Sequence, residues 1–173
     1  MITLIVDHCK PISQANYDEE VNSVQVHTLI CPHGHKGCCS RYGHYKRSIH
    51  TEEGKLSLSI ARVWCSACEG THALFLSTMV PYSQVPRDVQ AAIIQHYGSD
   101  HCYDTILDTF LSLDLHTVHS VVRSFNRHWR QRCLSAGISI FDLHSLSPAC
   151  FRFFKRQFMQ IKIRCNSLFP SPT

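Results

Sequence analysis

Residues 55–70 read KLSLSIARVWCSACEG. Leu56, Leu58 and Ile60 alternate with Ser57, Ser59 and Ala61, and that period of two predicts a half-buried antiparallel strand. The strand runs directly into Cys65-Ser-Ala-Cys68-Glu-Gly70, after which ALFLSTMV (73–80) reads as a second strand. Two cysteines three positions apart on a turn between strands suit a metal knuckle, because tetrahedral ligation draws both sulfurs to one point. A thioredoxin-like redox pair would instead need the motif to open a helix, and THALFLSTMV is too aromatic and too rich in strand formers for that. A small β unit also lacks the core to fold alone, so structural Zn2+ is the expected cofactor.

A knuckle needs a partner pair, and CPHGHKGCC (31–39) is the nearby candidate. Cys31 stands at a predicted strand end, ahead of proline, where a first ligand belongs. The second ligand is open among His33, His35, Cys38 and Cys39, since imidazole and thiolate both suit zinc. Cys38 follows Gly37, which lets the chain turn back, whereas Cys39 most simply points the other way. The favoured set is therefore Cys31, Cys38, Cys65 and Cys68, with His33 or His35 as alternatives to Cys38.

Outward from the knuckles the chain divides. Val24, Val26 and residues 27–30 read as a strand leading into the cluster, and Gly54 marks a turn after TEE. Beyond Pro81 the period becomes helical. A first helix runs from Ser83 to Tyr97 and is closed by Gly98; a second spans Asp100 to Ser112. A third runs from Asp114, its N-cap, to Ala136, with Gly137 as the terminating residue. Its apolar stripe is Leu115, Val118, Val122, Phe125 and Trp129. A last helix starts at Ser147-Pro148 and buries Phe151, Phe154, Phe158 and Ile161. The expected architecture is α+β: a lead-in (1–26), a small antiparallel zinc-ribbon unit (27–80), and a basic helical region (81–173) with a helix-turn-helix-like pair.

Composition points the same way. The chain of 173 residues holds 10 cysteines and 13 histidines, and no stretch approaches the ~18 apolar residues of a membrane span. No charged, apolar secretory segment opens it. A cytoplasmic setting is expected, in which grouped cysteines are metal ligands rather than disulfides. The ungrouped Cys9, Cys102, Cys133, Cys150 and Cys165 act as small hydrophobes. Charge is polarised: residues 1–120 carry eight Lys+Arg against twelve Asp+Glu, and residues 121–173 carry nine Lys+Arg against Asp142 alone. A basic block of that kind suits an anionic partner, with double-stranded DNA the first candidate.

The order CP-x-G-H-x-G-C, YGHYKR, RVWCSAC-x-G-TH and VPYSQVP resembles a bacterial family of transposase-associated zinc-ribbon proteins. The likeness extends through RHWRQRCLSAGISI and FKRQFMQIK, about residues 27–162. Members look like the N-terminal DNA-binding parts of insertion-sequence transposases, with a zinc ribbon ahead of helix-turn-helix-like helices, and often carry a cysteine near the position of His33. The resemblance implies a mobile-element origin and a bacterial cytoplasm.

The helices ending at Ser112 and beginning at Asp114 fit a helix-turn-helix. With the stripe facing the core, His116, Ser120, Arg123, Arg127 and Arg130 share the opposite face, where arginines can follow a phosphate backbone or enter the major groove. Arg152, Lys155, Arg156 and Lys162 add to it from the last helix, and Arg41, Lys46 and Arg47 from the ribbon segment RYGHYKR. Catalysis is not expected. Of the acids after the ribbon (Asp88, Asp100, Asp104, Asp108, Asp114, Asp142), the first five fall on or beside predicted helices, without the strand series of a two-metal transposase core. No phosphate-cradling loop or nucleophile elbow is present. No small-molecule substrate is evident, and the chain is compatible with a homo-oligomer.

Overall fold

The computed structural model describes residues 1–6, 10–51, 54–162 and 166–169, without the side chain of Asp100. Among these the fold is mixed α/β, with a five-stranded sheet and six helices. In chain order the elements are β1 (Ile2–Leu4), α1 (Gln14–Ser23), β2 (Cys39–Thr51), β3 (Gly54–Cys65), β4 (Gly70–Leu76), α2 (Arg87–Asp100), α3 (Tyr103–Thr109), α4 (Leu115–His128), α5 (Arg130–Ala136), α6 (Leu143–Phe154) and β5 (Ser167–Phe169). The sheet order is β2-β3-β4-β1-β5. β2, β3 and β4 pair antiparallel, while the short terminal strands β1 and β5 add in parallel.

The period-two segment is indeed a strand, but its buried face changes along its length. Leu58 and Ile60 are fully buried on one face; from Ala61 onward the other face is buried, with Val63 and Cys65 at its end. The change falls near the register slip of β2 between Arg41 and Gly43, since a bulge re-aims the residues that follow it. On its β3 side, β4 pairs only with the end of that strand, from Arg62 to Cys65. Where the two strands part, α1 supplies substitute partners. The Tyr17 hydroxyl accepts from the Ala61 amide at 2.8 Å and donates to the Leu74 carbonyl at 3.0 Å. Upstream, the Gln14 side-chain amide pairs with the backbone of Ser59 through both its oxygen and its nitrogen. An otherwise open strand edge is thereby covered.

Tyr17 is buried, and burial pushes its phenol above its ordinary pKa. Tyr17→Phe leaves a buried amide and carbonyl without their partner. Its expected cost is about 1–3 kcal/mol, read as a lower urea midpoint at unchanged slope.

Two apolar cores adjoin. The first, from Ile2 to Met79, lies about the sheet and α1; the second, from Val80 to Met159, lies among the helices. Residues 1–26 thus contribute Ile2, Leu4, Tyr17 and Val21 to the sheet's own core. Arg87 donates to Ser147 Oγ at 2.7 Å, and Ser77 O accepts from Ser147 Oγ and from the Gln157 amide, joining the two halves.

Several boundaries differ from expectation. Residues 26–28 form a 3₁₀ turn rather than a strand, and Ile30 makes an isolated antiparallel bridge to Lys36. The first helix begins at Arg87 and passes through Gly98, ending where His101 takes a left-handed conformation and its amide caps the Tyr97 carbonyl. The expected long helix is interrupted at Trp129, whose fully buried ring packs edge-on against Phe154 and Phe158. Gly137 does close α5, at φ 63°. α6 starts before Ser147-Pro148 because Asp142 caps Ser145. It ends at Phe154, so Phe158 is buried from the segment beyond it. Leu115 and Ile161 are exposed instead of buried, and Val121 takes Leu115's place in the core.

Asp114 caps α4 as expected, accepting from the Thr117 amide at 2.7 Å. That bond holds its carboxyl below the ordinary range, so its stabilisation is present above the usual carboxylate pKa and is lost as pH falls through the lowered one. Asp114→Ala should lower Tm by about 2–4 °C at neutral pH, a difference that shrinks below about pH 4.

Cys133 and Cys150 are buried and Cys102 half-buried, while Cys9 and Cys165 lie outside the described residues. No described helix is long and apolar enough to cross a membrane.

Candidate metal centre and nucleic-acid interface

Cys31, His35, Cys65 and Cys68 converge, with their ligand atoms all within 4.8 Å of one another. His35 Nδ1 lies 3.3 Å from Cys31 Sγ and 3.7 Å from Cys65 Sγ. In a tetrahedral site with ordinary metal–sulfur and metal–nitrogen bonds, ligand atoms stand ~3.5–3.8 Å apart. The donor set can hold a metal ion.

The first half-site is a closed turn. The Cys31 amide donates to the His35 carbonyl at 3.0 Å and the Gly34 amide to the Cys31 carbonyl at 2.8 Å, just inside the Ile30–Lys36 bridge. Gly34 has φ 89°, a conformation costly for any residue with a Cβ. Glycine at this position is what lets Cys31 and His35 face the same point. The His33 amide, meanwhile, donates to Cys31 Sγ at 3.3 Å.

The second half-site is the β3–β4 turn, in which Cys65 pairs with Gly70 and Glu69 takes φ 48°. Burial opposes ionisation of Cys65, but the amides of Cys68 and Ala67 together with His35 hold its thiol down to about 6. Cys68 moves the other way, to about 11, through burial and its sulfur neighbours. One thiolate is thus favoured before any cation arrives.

This set corrects the favoured ligand list. Cys38 is outside the cluster: its thiol donates to the Lys36 carbonyl at 3.2 Å. Its contribution is through the backbone, where its carbonyl accepts from the Ser66 amide at 3.0 Å and ties the two turns together. His35, carried as an alternative, stands in its place, whereas His33 presents its amide and leaves its exposed ring outside the four. Cys39 does not point away. It is buried as the cross-strand partner of Cys65, and burial and the nearby sulfurs push its thiol to about 11. His72, given no role by sequence reasoning, is largely buried with Nε2 3.4 Å from Cys68 Sγ. Burial lowers its pKa to about 4, so the ring is neutral, and its contact with the sulfur helps to orient Cys68. Its position two residues beyond Gly70, on the strand leaving the knuckle, was the available signal.

The basic candidates separate by surroundings. Arg123, Arg127 and Arg130 are exposed along α4 and the start of α5, and Arg152 and Lys155 are exposed at the end of α6. Arg156 is half-buried beside Arg132, and burial with that neighbouring charge lowers its pKa. Arg41 and Lys46 are exposed on β2. Arg47 is not available: its guanidinium donates to the carbonyls of Val80 and Ser83 and covers the Phe75 ring at 4.9 Å. It fastens the hairpin to the helical half. His119 and Asn126 join the exposed face of α4 and were missed, although their offsets from His116 and Arg123 place them on it.

A family model described as "Domain of unknown function (DUF6431)" matches residues 30–109. The match takes in both half-sites, β2 to β4, α2 and α3, and stops before α4. Comparison with curated proteins and with solved structures returns no match.

Proposed function

We propose that this chain is a DNA-binding protein of mobile-element type, in which structural zinc at Cys31, His35, Cys65 and Cys68 staples the β half and α4 lies against duplex DNA. The observation that carries the reading is the exposed stripe of α4: His116, His119, Ser120, Arg123, Asn126 and Arg127, with Arg130 following at the start of α5. These side chains recur every three or four positions, the spacing of one helix face. Their types donate to phosphates and base edges.

The surroundings support it. α4 packs on both α2 and α3, and the short segment 110–114 between α3 and α4 ends at the Asp114 cap, as a helix-turn-helix requires. The resemblance to transposase-associated ribbons agrees. Zinc is the expected ion because three sulfurs and one imidazole in a closed site suit it. Both roles are structural or recognitive, so no turnover is expected.

The test is fluorescence anisotropy of the zinc-loaded chain against labelled duplex fragments across a salt series. Binding that falls steeply with salt supports the reading. No binding at low salt overturns it in favour of a zinc-stabilised module that docks an acidic protein.

A further inference from the structure

The β2–β3 hairpin carries a surface that neither the metal cluster nor α4 uses. Tyr42 is the residue inserted at the register slip of β2. It is 56% exposed, and Trp64 is half-buried. Its ring centroid lies 5.8 Å from that of Trp64, with the planes 31° apart. The guanidinium of Arg62 stands 5.3 Å from the Tyr42 centroid, while Arg62 Nε is buried with no hydrogen-bond partner among the described residues. Trp64, Tyr42 and Arg62 form a short row of flat groups fixed to a rigid strand pair.

The charge around the row selects its occupant. β2 and β3 carry no carboxylate, and besides the committed Arg47 their cations are Arg41, Lys46, Lys55 and Arg62. Arg62 shares the face of Trp64, and Arg41, His44 and Lys46 leave the other side of β2, an edge strand of the sheet. A polyanion with flat rings matches both features, because bases stack on aromatic faces while basic side chains follow the backbone. In a duplex the base faces are already stacked, so only unpaired bases can reach these rings.

We propose that Tyr42 and Trp64 are a stacking platform for the unpaired bases of single-stranded nucleic acid, with Arg62 beside it as the nearest phosphate-binding cation. The platform is a different surface from α4 and stands or falls separately from duplex binding.

Intrinsic fluorescence tests it in the zinc-loaded chain. The two tryptophans are Trp64 and the fully buried Trp129, so a stacking base quenches Trp64 selectively. Titration with twelve-nucleotide oligo-dT and oligo-U should give saturable quenching, and the stronger of the two identifies the sugar preferred. Tyr42→Ala should weaken single-strand affinity roughly ten-fold while metal content stays at the wild-type level. Trp64→Phe should remove the optical signal while anisotropy still reports binding. Paired replacement of Arg123 and Arg127 by alanine should leave the quenching in place. Quenching without duplex binding would sink the α4 reading and sustain this one. Absent quenching, or a Tyr42→Ala affinity equal to wild type, overturns the platform.

Discussion

His35→Ala should abolish metal binding at the Cys31, His35, Cys65 and Cys68 cluster, and Cys38→Ser should leave it in place. Purified wild-type chain should contain about one zinc per molecule, and Cys31→Ser, Cys65→Ser and Cys68→Ser should each fall close to none. Binding energy at a structural zinc site is folding energy, on the order of 10 kcal/mol in small zinc modules. Losing it exceeds the stability of an ordinary domain. The His35 and cysteine variants should therefore lose the cooperative unfolding of the β half, and a chelator should reproduce that loss in the wild type. The helical half keeps its own apolar core and should retain helical circular dichroism. Elemental analysis with thermal melts makes the check. Zinc lost in Cys38→Ser and kept in His35→Ala would refute the ligand set. Because thiols and imidazole must shed protons to bind, zinc affinity should already fall with pH below the Cys68 value of about 11, and more steeply below about 6, where Cys65 takes up a proton as well.

Arg123→Ala with Arg127→Ala should lower duplex affinity by at least ten-fold at low salt. Each arginine that neutralises a phosphate contributes about 0.9 to the slope of log affinity against log salt. Two lost contacts should therefore flatten the slope by roughly 1.8. Both side chains are exposed and neither makes an ion pair among the described residues, so folding should be unaffected. An unchanged slope would show that α4 does not touch DNA. Arg47→Ala serves as the contrast. Its guanidinium is committed to Val80 and Ser83, and its loss should cost stability before it alters any salt slope.

Local pattern carried much of the architecture. The serine–aliphatic alternation of 56–60 marked β3, the Cys65–Cys68 spacing marked a half-site, and Asp114 and Gly137 marked helix ends from their own chemistry. β1 and β5 left no such trace, because three residues are too few to show a period and their stability comes from β4 and each other. Tyr42 and Arg47 sit five residues apart in one basic-aromatic run, and nothing local separates an exposed ring from a buried clamp.

The sequence by itself determined that 31–39 and 65–68 form two halves of one cluster, since sulfur-rich turns at strand ends have few other uses. Only the tertiary structure decided which side chain completes it. His35 and Cys38 are three residues apart and both chemically able to bind. The turn at Gly34, with φ 89°, aims His35 inward, and the Ser66 bond to the Cys38 carbonyl holds that residue's backbone against the opposite turn. Ligand identity follows from where two segments thirty residues apart meet, and backbone handedness at one glycine sets that meeting.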